Sequence, residues 1–208
     1  MMLLNVPATL GLMVLARPIV SVIFERGSFT ASDTDNTAAA LQFYAIGLVG
    51  YSIVRIVSPT FYALRRSRIP VMVSAGSVLI NVALNLALVR ALGYRGLALG
   101  TSITALINAS TQLFLLRREI HGIEGGRIAA TAIRVVIASL AMAAAAWGSN
   151  EMLAGLVPGS GLVPQVVRLG VSIGVALLVL AAAAQVLRIR EFGEARDLIF
   201  GRLRRMVG

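Results

Sequence analysis

PVMVSAGSVLINVALNLALVRA, residues 70–91, is apolar on nearly every helical face, and this decides the fold. A half-exposed soluble helix keeps one polar face, whereas a helix in lipid or in a membrane bundle does not. A bilayer core about 30 Å thick calls for about 20 apolar residues per helix. Five further stretches come near that length: 3–24, 37–62, 96–116, 128–148 and 166–187. A large soluble core hides one such run; it does not produce six in 208 residues. The expected fold is all-α, a polytopic membrane helix bundle of six transmembrane helices.

Composition agrees. The chain is 58% apolar and 13% charged, with a mean hydropathy of +0.86. A soluble domain is about 25% charged, so an ordinary soluble enzyme is excluded. A disordered chain is excluded too, because it needs low hydrophobicity. With no cysteine, there are no disulfides, thiolate metal sites or cysteine nucleophiles.

Local signals punctuate the spans. Thr30 and Asp33 are spaced as a capping box for the second helix. Pro70 opens the third, Gly93 and Gly96 make a tight turn before the fourth, and Gly125-Gly126 precedes the fifth. The segment from Ser149 to Gln165, with Gly155, Pro158, Gly159, Gly161 and Pro164, reads as the longest surface loop.

The basic residues are all arginine, 19 against 9 acids, for a net charge of +10. Twelve of them lie in 64–69, 117–127 and the tail from 188, on alternate ends of the helices. The positive-inside rule places 63–69, 117–127 and 188–208 in the cytoplasm, and 25–36, 92–95 and 149–165 outside. Basic residues divided among short membrane-flanking loops argue for lipid contact and against nucleic acid as a partner. The first span opens at Met1 with no basic flank and no cleavage-site pattern, and Arg17-Pro18 interrupts it. The expectation is the tail of a longer protein.

Motifs sharpen this. Ala16-Arg17-Pro18-Ile19-Val20, Phe24-Glu25-Arg26-Gly27-Ser28-Phe29-Thr30 and Asp33-Thr34 are followed by Tyr44-Ala45-Ile46-Gly47-Leu48 and Pro59-Thr60-Phe61-Tyr62-Ala63. An FERGxFT loop, an apolar helix and PxFYA at this spacing resemble the MurJ (MviN) lipid II flippase family of the MOP exporter superfamily. Gly96-Leu97-Ala98-Leu99-Gly100-Thr101-Ser102 also looks like the family's next helix. The resemblance is densest over 16–70 and is only hydropathic after about 120.

The resemblance implies fourteen helices in a complete member, of which this chain would match the last six. It implies export of lipid II, the undecaprenyl-linked peptidoglycan precursor, across the bacterial cytoplasmic membrane by alternating access. The C-terminus would be cytoplasmic, and the partners would be lipid II, membrane lipids and the missing N-terminal helices of the same protein. Residues 1–120 would be four helices of the second transport lobe, 121–187 two additional helices, and 188–208 a cytoplasmic tail. Two alternatives stand beside it: another polysaccharide-lipid or drug exporter of the superfamily, which should lack the FERGxFT loop, and a non-transporting scaffold remnant.

Several residues are candidates for function. Arg55 lies about eight residues from the cytoplasmic end of its helix, roughly 12 Å deep at 1.5 Å per residue. An arginine near the bilayer centre costs about 2.5–3.5 kcal/mol, so it should face a cavity or a partner, and a pyrophosphate suits its guanidinium fork. Snorkelling to the inner interface is the bland alternative. Asn81 and Asn85 share a helix face, with Thr101 on the next helix. In a cation-coupled branch of the family, an amide, an acid four residues on and a threonine form an ion site. Here Asn85 stands where the acid would be, which favours interhelical hydrogen bonds over an ion.

Glu25 and Arg26 are candidates for an outer gate or a salt-bridged turn. His121 is alone, with no second metal ligand at a suitable spacing. Gly96-x-x-x-Gly100 and Gly170-x-x-x-Gly174 permit close helix contact. Residues 191–206 place Phe192, Ala195, Ile199, Leu203 and Met206 on one face, as in an interfacial amphipathic helix. Paired intramembrane carboxylates, a nucleophile elbow, a P-loop and a dinucleotide motif are all lacking, so neither an enzyme nor a cofactor is expected.

Overall fold

The computed structural model describes residues 2–120, 125–157, 159 and 161–187. His121 and the amphipathic segment 191–206 lie outside the described residues. Seven helices follow one another: α1 (Met2–Val14), α2 (Ala16–Phe24), α3 (Ala31–Ala63), α4 (Arg68–Leu92), α5 (Tyr94–Glu119), α6 (Gly125–Leu156) and α7 (Leu162–Val186). The described residues contain no strand.

Helices α3, α4, α5 and α7, with residues 130–156 of α6, are each long and apolar enough to cross a bilayer. The first expected span takes a different form. It is a pair, α1 and α2, bent by 71° at Leu15. Pro18 supplies the cause: it has no N–H to give the Val14 carbonyl, and its ring crowds the turn before it. Helix resumes only with Pro18 inside the first turn of α2, where the missing donor is not needed.

The Thr30–Asp33 spacing forms the expected box at the start of α3. Thr30 Oγ1 accepts from the Asp33 amide at 3.3 Å, and Asp33 Oδ2 accepts from the Thr30 amide at 2.9 Å. Between α4 and α5 the chain reverses in one residue, Gly93, whose φ of +60° favours glycine. Where a loop over 149–165 is expected, α6 instead continues to Leu156 and α7 starts at Leu162. Gly155 sits inside the helix, because Met152, Leu153 and Leu156 continue the helical pattern through it.

Helix α3 is the hub. It packs most extensively against α5, and on its other flank against α1 and α2. Toward α5 the approach is close: a Cβ on Gly50 would stand 2.7 Å from the Ala105 carbonyl, and one on Gly47 2.8 Å from Ser102 Oγ. Ser102 then donates its hydroxyl to the Phe43 carbonyl, and Val57, Phe61 and Leu116 fill the seam near the C-terminal ends of α3 and α5. Toward α1 and α2 the seam is Ala16, Val20 and Ala38, with the Gln42 amide donating to the Met13 carbonyl at 2.8 Å. Helices α6 and α7 close on α1 through Leu15, Met142, Ala146 and Ala176. Helix α4 rests mainly on α5, and Val71, Met72, Val78, Leu79 and Leu86 are exposed.

Candidate functional site

Tyr44, Tyr51, Arg55 and Tyr62 recur at intervals of seven, four and seven along α3. At 100° per residue these spacings return to nearly the same direction, so the four side chains form one stripe. The flanks of α3 are taken by α5 and by α1 and α2, and the stripe runs between them. All four residues are exposed. From Tyr44 to Tyr62 the stripe is about 27 Å long at 1.5 Å per residue, close to the bilayer's thickness.

Arg55 lies eight residues before Ala63, the last residue of α3, and has no hydrogen-bond or ion-pair partner among the described residues. Pro59, four residues on and inside the helix, removes the hydrogen bond that the Arg55 carbonyl would otherwise accept. One residue therefore presents both a guanidinium and a freed carbonyl. Backbone freed in this way is tolerated at membrane depth only where it is buried in protein or lines a water-filled space. The stripe is visible in the sequence as the 7-4-7 spacing; reading Arg55 without the tyrosines misses it.

The asparagine pair bridges α4 and α5, but through a different threonine. Asn81 Nδ2 donates to Thr104 Oγ1 at 3.4 Å, and Thr104 donates to the Gly100 carbonyl at 2.8 Å. Thr101 turns back on its own helix, donating to the Leu97 carbonyl at 2.8 Å. Asn85 Nδ2 donates to Asn81 Oδ1 at 3.0 Å, while Asn85 Oδ1 is buried without a partner against Gly100. No carboxylate joins this network, and no cluster of three metal-ligating side chains occurs among the described residues.

Glu25 and Arg26 do not pair with each other. Glu25 Oε2 accepts from the Thr34 hydroxyl at 3.1 Å, and Arg26 donates to the Val22 carbonyl at 2.9 Å. Helix ends near this loop are tied instead by Arg17 to Asp35 at 2.6 Å and by Arg95 to Asn36. The partners in these pairs are far apart in sequence, and no local spacing links them. A cleft of about 420 Å³ opens beside Arg17, which lines it with Glu25, Trp147, Glu151 and Arg168 among others.

The family profile described as lipid II flippase MurJ matches residues 1–167. The chain belongs to the MurJ lipid II flippase family. A Rickettsia prowazekii protein named probable lipid II flippase MurJ is 42% identical over 107 residues, covering 51% of this chain and 21% of that protein. A Bdellovibrio bacteriovorus protein of the same name is 36% identical over 136 residues, 65% of this chain and 26% of that one. The chain thus spans about a quarter of the length of these MurJ relatives. A solved structure of lipid II flippase MurJ in an inward closed conformation matches 89% of this chain and 37% of its own, with a TM-score of 0.67 at 22% identity. The likeness extends the MurJ fold across most of this chain.

Proposed function

We propose that this chain serves the export of lipid II, the undecaprenyl-linked peptidoglycan precursor, across the cytoplasmic membrane, with Arg55 meeting the lipid's diphosphate. The relatives named lipid II flippase supply the substrate, and the carrying observation is Arg55 itself. Its guanidinium is unpartnered among the described residues, its carbonyl is freed by Pro59, and its face of α3 is open. A diphosphate offers paired oxygens to a planar fork. No covalent step is needed, because the precursor leaves unchanged; the protein supplies differential affinity in two states. The remaining helices of a complete flippase would close the cavity. The arginine-rich 63–69 turn and 188–208 tail face the cytoplasm in this reading. Asn81 and Asn85 act as a polar tie between α4 and α5, without an ion.

The test is outer-leaflet precursor in cells depleted of their own flippase and expressing this chain together with the remaining helices of a relative. Arg55→Ala should lower export at unchanged membrane abundance, and Arg55→Lys should recover only part, because an ammonium lacks the fork. Normal export with alanine would remove Arg55 from the substrate path.

A further inference from the structure

Three tyrosines share the open stripe with Arg55, and depth separates them. Tyr62 is the penultimate residue of α3 and Tyr44 lies about 28 Å along the helix from Ala63, so both suit the interfacial belts where tyrosine is enriched. Tyr51 does not. It lies twelve residues from Ala63, about 18 Å in, near the middle of a bilayer. The residue is 53% exposed, and its hydroxyl has no partner among the described residues. A phenol at that depth is too short to reach either interface. It sits one helical turn from Arg55, on the same face, with side chains about 5–6 Å apart at Cβ.

We propose that Tyr51 is a sugar-stacking residue, holding the first glycan ring of a lipid-linked diphosphate sugar while Arg55 holds the diphosphate. The inference rests on the Arg55 reading above. The chemistry matches position by position. In such a lipid the sugar is bonded directly to the diphosphate, so a ring beside an Arg55-bound phosphate lies within one turn of α3, about 5.4 Å. Of the two directions along the stripe, one turn toward Ala63 reaches Pro59, which has no aromatic face, and one turn the other way reaches Tyr51. An aromatic ring packs on the apolar C–H face of a pyranose, and the phenol O–H at its edge exchanges hydrogen bonds with the sugar hydroxyls or amide. A few polar groups converging in an otherwise apolar surface is the usual make-up of a ligand site. Export would then discriminate by glycan as well as by charge.

The test uses the whole 208-residue chain in lipid nanodiscs, titrated with two probes and read by native mass spectrometry. One probe is undecaprenyl diphosphate; the other is the same lipid bearing one N-acetylhexosamine. The unsubstituted chain should prefer the sugar-bearing probe by about fivefold, the scale of one aromatic contact. Tyr51→Leu should abolish that preference and leave binding of the bare diphosphate lipid unchanged, and Tyr51→Phe should keep most of the preference. Arg55→Gln should weaken both probes alike. No preference in the unsubstituted chain, a preference that survives Tyr51→Leu, or equal weakening of both probes by Tyr51→Leu overturns the stacking role while leaving Arg55 in place. Unchanged binding of both probes by Arg55→Gln overturns the Arg55 reading, and binding of neither probe overturns both.

Discussion

Ser58 on α3 donates its hydroxyl to Gln112 Oε1 on α5 at 2.9 Å, and Gln112 is completely buried. The same amide donates to Asn108 Oδ1 one turn away at 2.9 Å. The contact sits on the main seam of the molecule, one turn from Arg55, so it fixes the rotation of the helix that carries the open stripe. A buried amide in a membrane protein costs free energy for each end left unengaged, and here both ends are engaged.

Replacing Gln112 therefore tests that seam. Gln112→Ala removes both bonds and leaves a hole, and should cost about 1–3 kcal/mol. Gln112→Leu fills the volume and should cost less, while Ser58→Ala should cost about 0.6 kcal/mol. Unfolding in mixed micelles titrated with SDS gives all three; a neutral Gln112→Ala would show that α3 and α5 are held by shape alone.

The glycines should divide sharply. A Cβ on Gly50 would stand 2.7 Å from the Ala105 backbone, and one on Gly96 2.3 Å from the Leu88 carbonyl oxygen. Gly50→Ala and Gly96→Ala should each cost about 1–3 kcal/mol in the same assay, because backbone must move. Gly174 has open space where its Cβ would be. Gly174→Ala should be neutral or stabilise by up to about 1 kcal/mol, through helix propensity. A costly Gly174→Ala would mean that something covers this face of α7 in the membrane.

Arg65 closes α3 at φ +57°, in the left-handed region, with the Arg66 amide bonded back to the Phe61 carbonyl at 2.9 Å. This is the position where glycine ends helices at no steric cost. Arg65→Gly should raise stability by up to about 1 kcal/mol. A loss instead would show that interactions of the arginine side chain outweigh its backbone strain.

The arginines predict a topology. Reporter fusions after Arg66 and after Gly159 should read cytoplasm and exterior respectively. A cytoplasmic signal after Gly159 would break the orientation and, with it, the direction of the stripe.

Much of this protein is set by composition and period. Six runs of apolar residues demand helices in a bilayer, because no other chain segment can satisfy its backbone there. The capping box at Thr30 and Asp33, the turn at Gly93 and the break at Arg17-Pro18 are local chemistry, legible within a few residues. The family motifs lie in equally local stretches, from Ala16 to Ala63 and again over Gly96 to Ser102. What the sequence could not decide was which side chains meet across helices. Thr101 and Thr104 are one turn apart on α5, and only the rotation of α5 against α4 selects Thr104 for Asn81. Gly96 and Gly174 each belong to a GxxxG pair, yet of the two only Gly96 meets a neighbouring backbone. Glu25 and Arg26 are adjacent in sequence yet take separate partners, whereas Arg17 and Asp35, eighteen residues apart, form an ion pair. In each case the spacing is a property of one helix and the contact a property of two. In an all-apolar bundle no hydrophobic stripe fixes how a helix is turned, so close glycine contacts and a few hydrogen bonds make that choice.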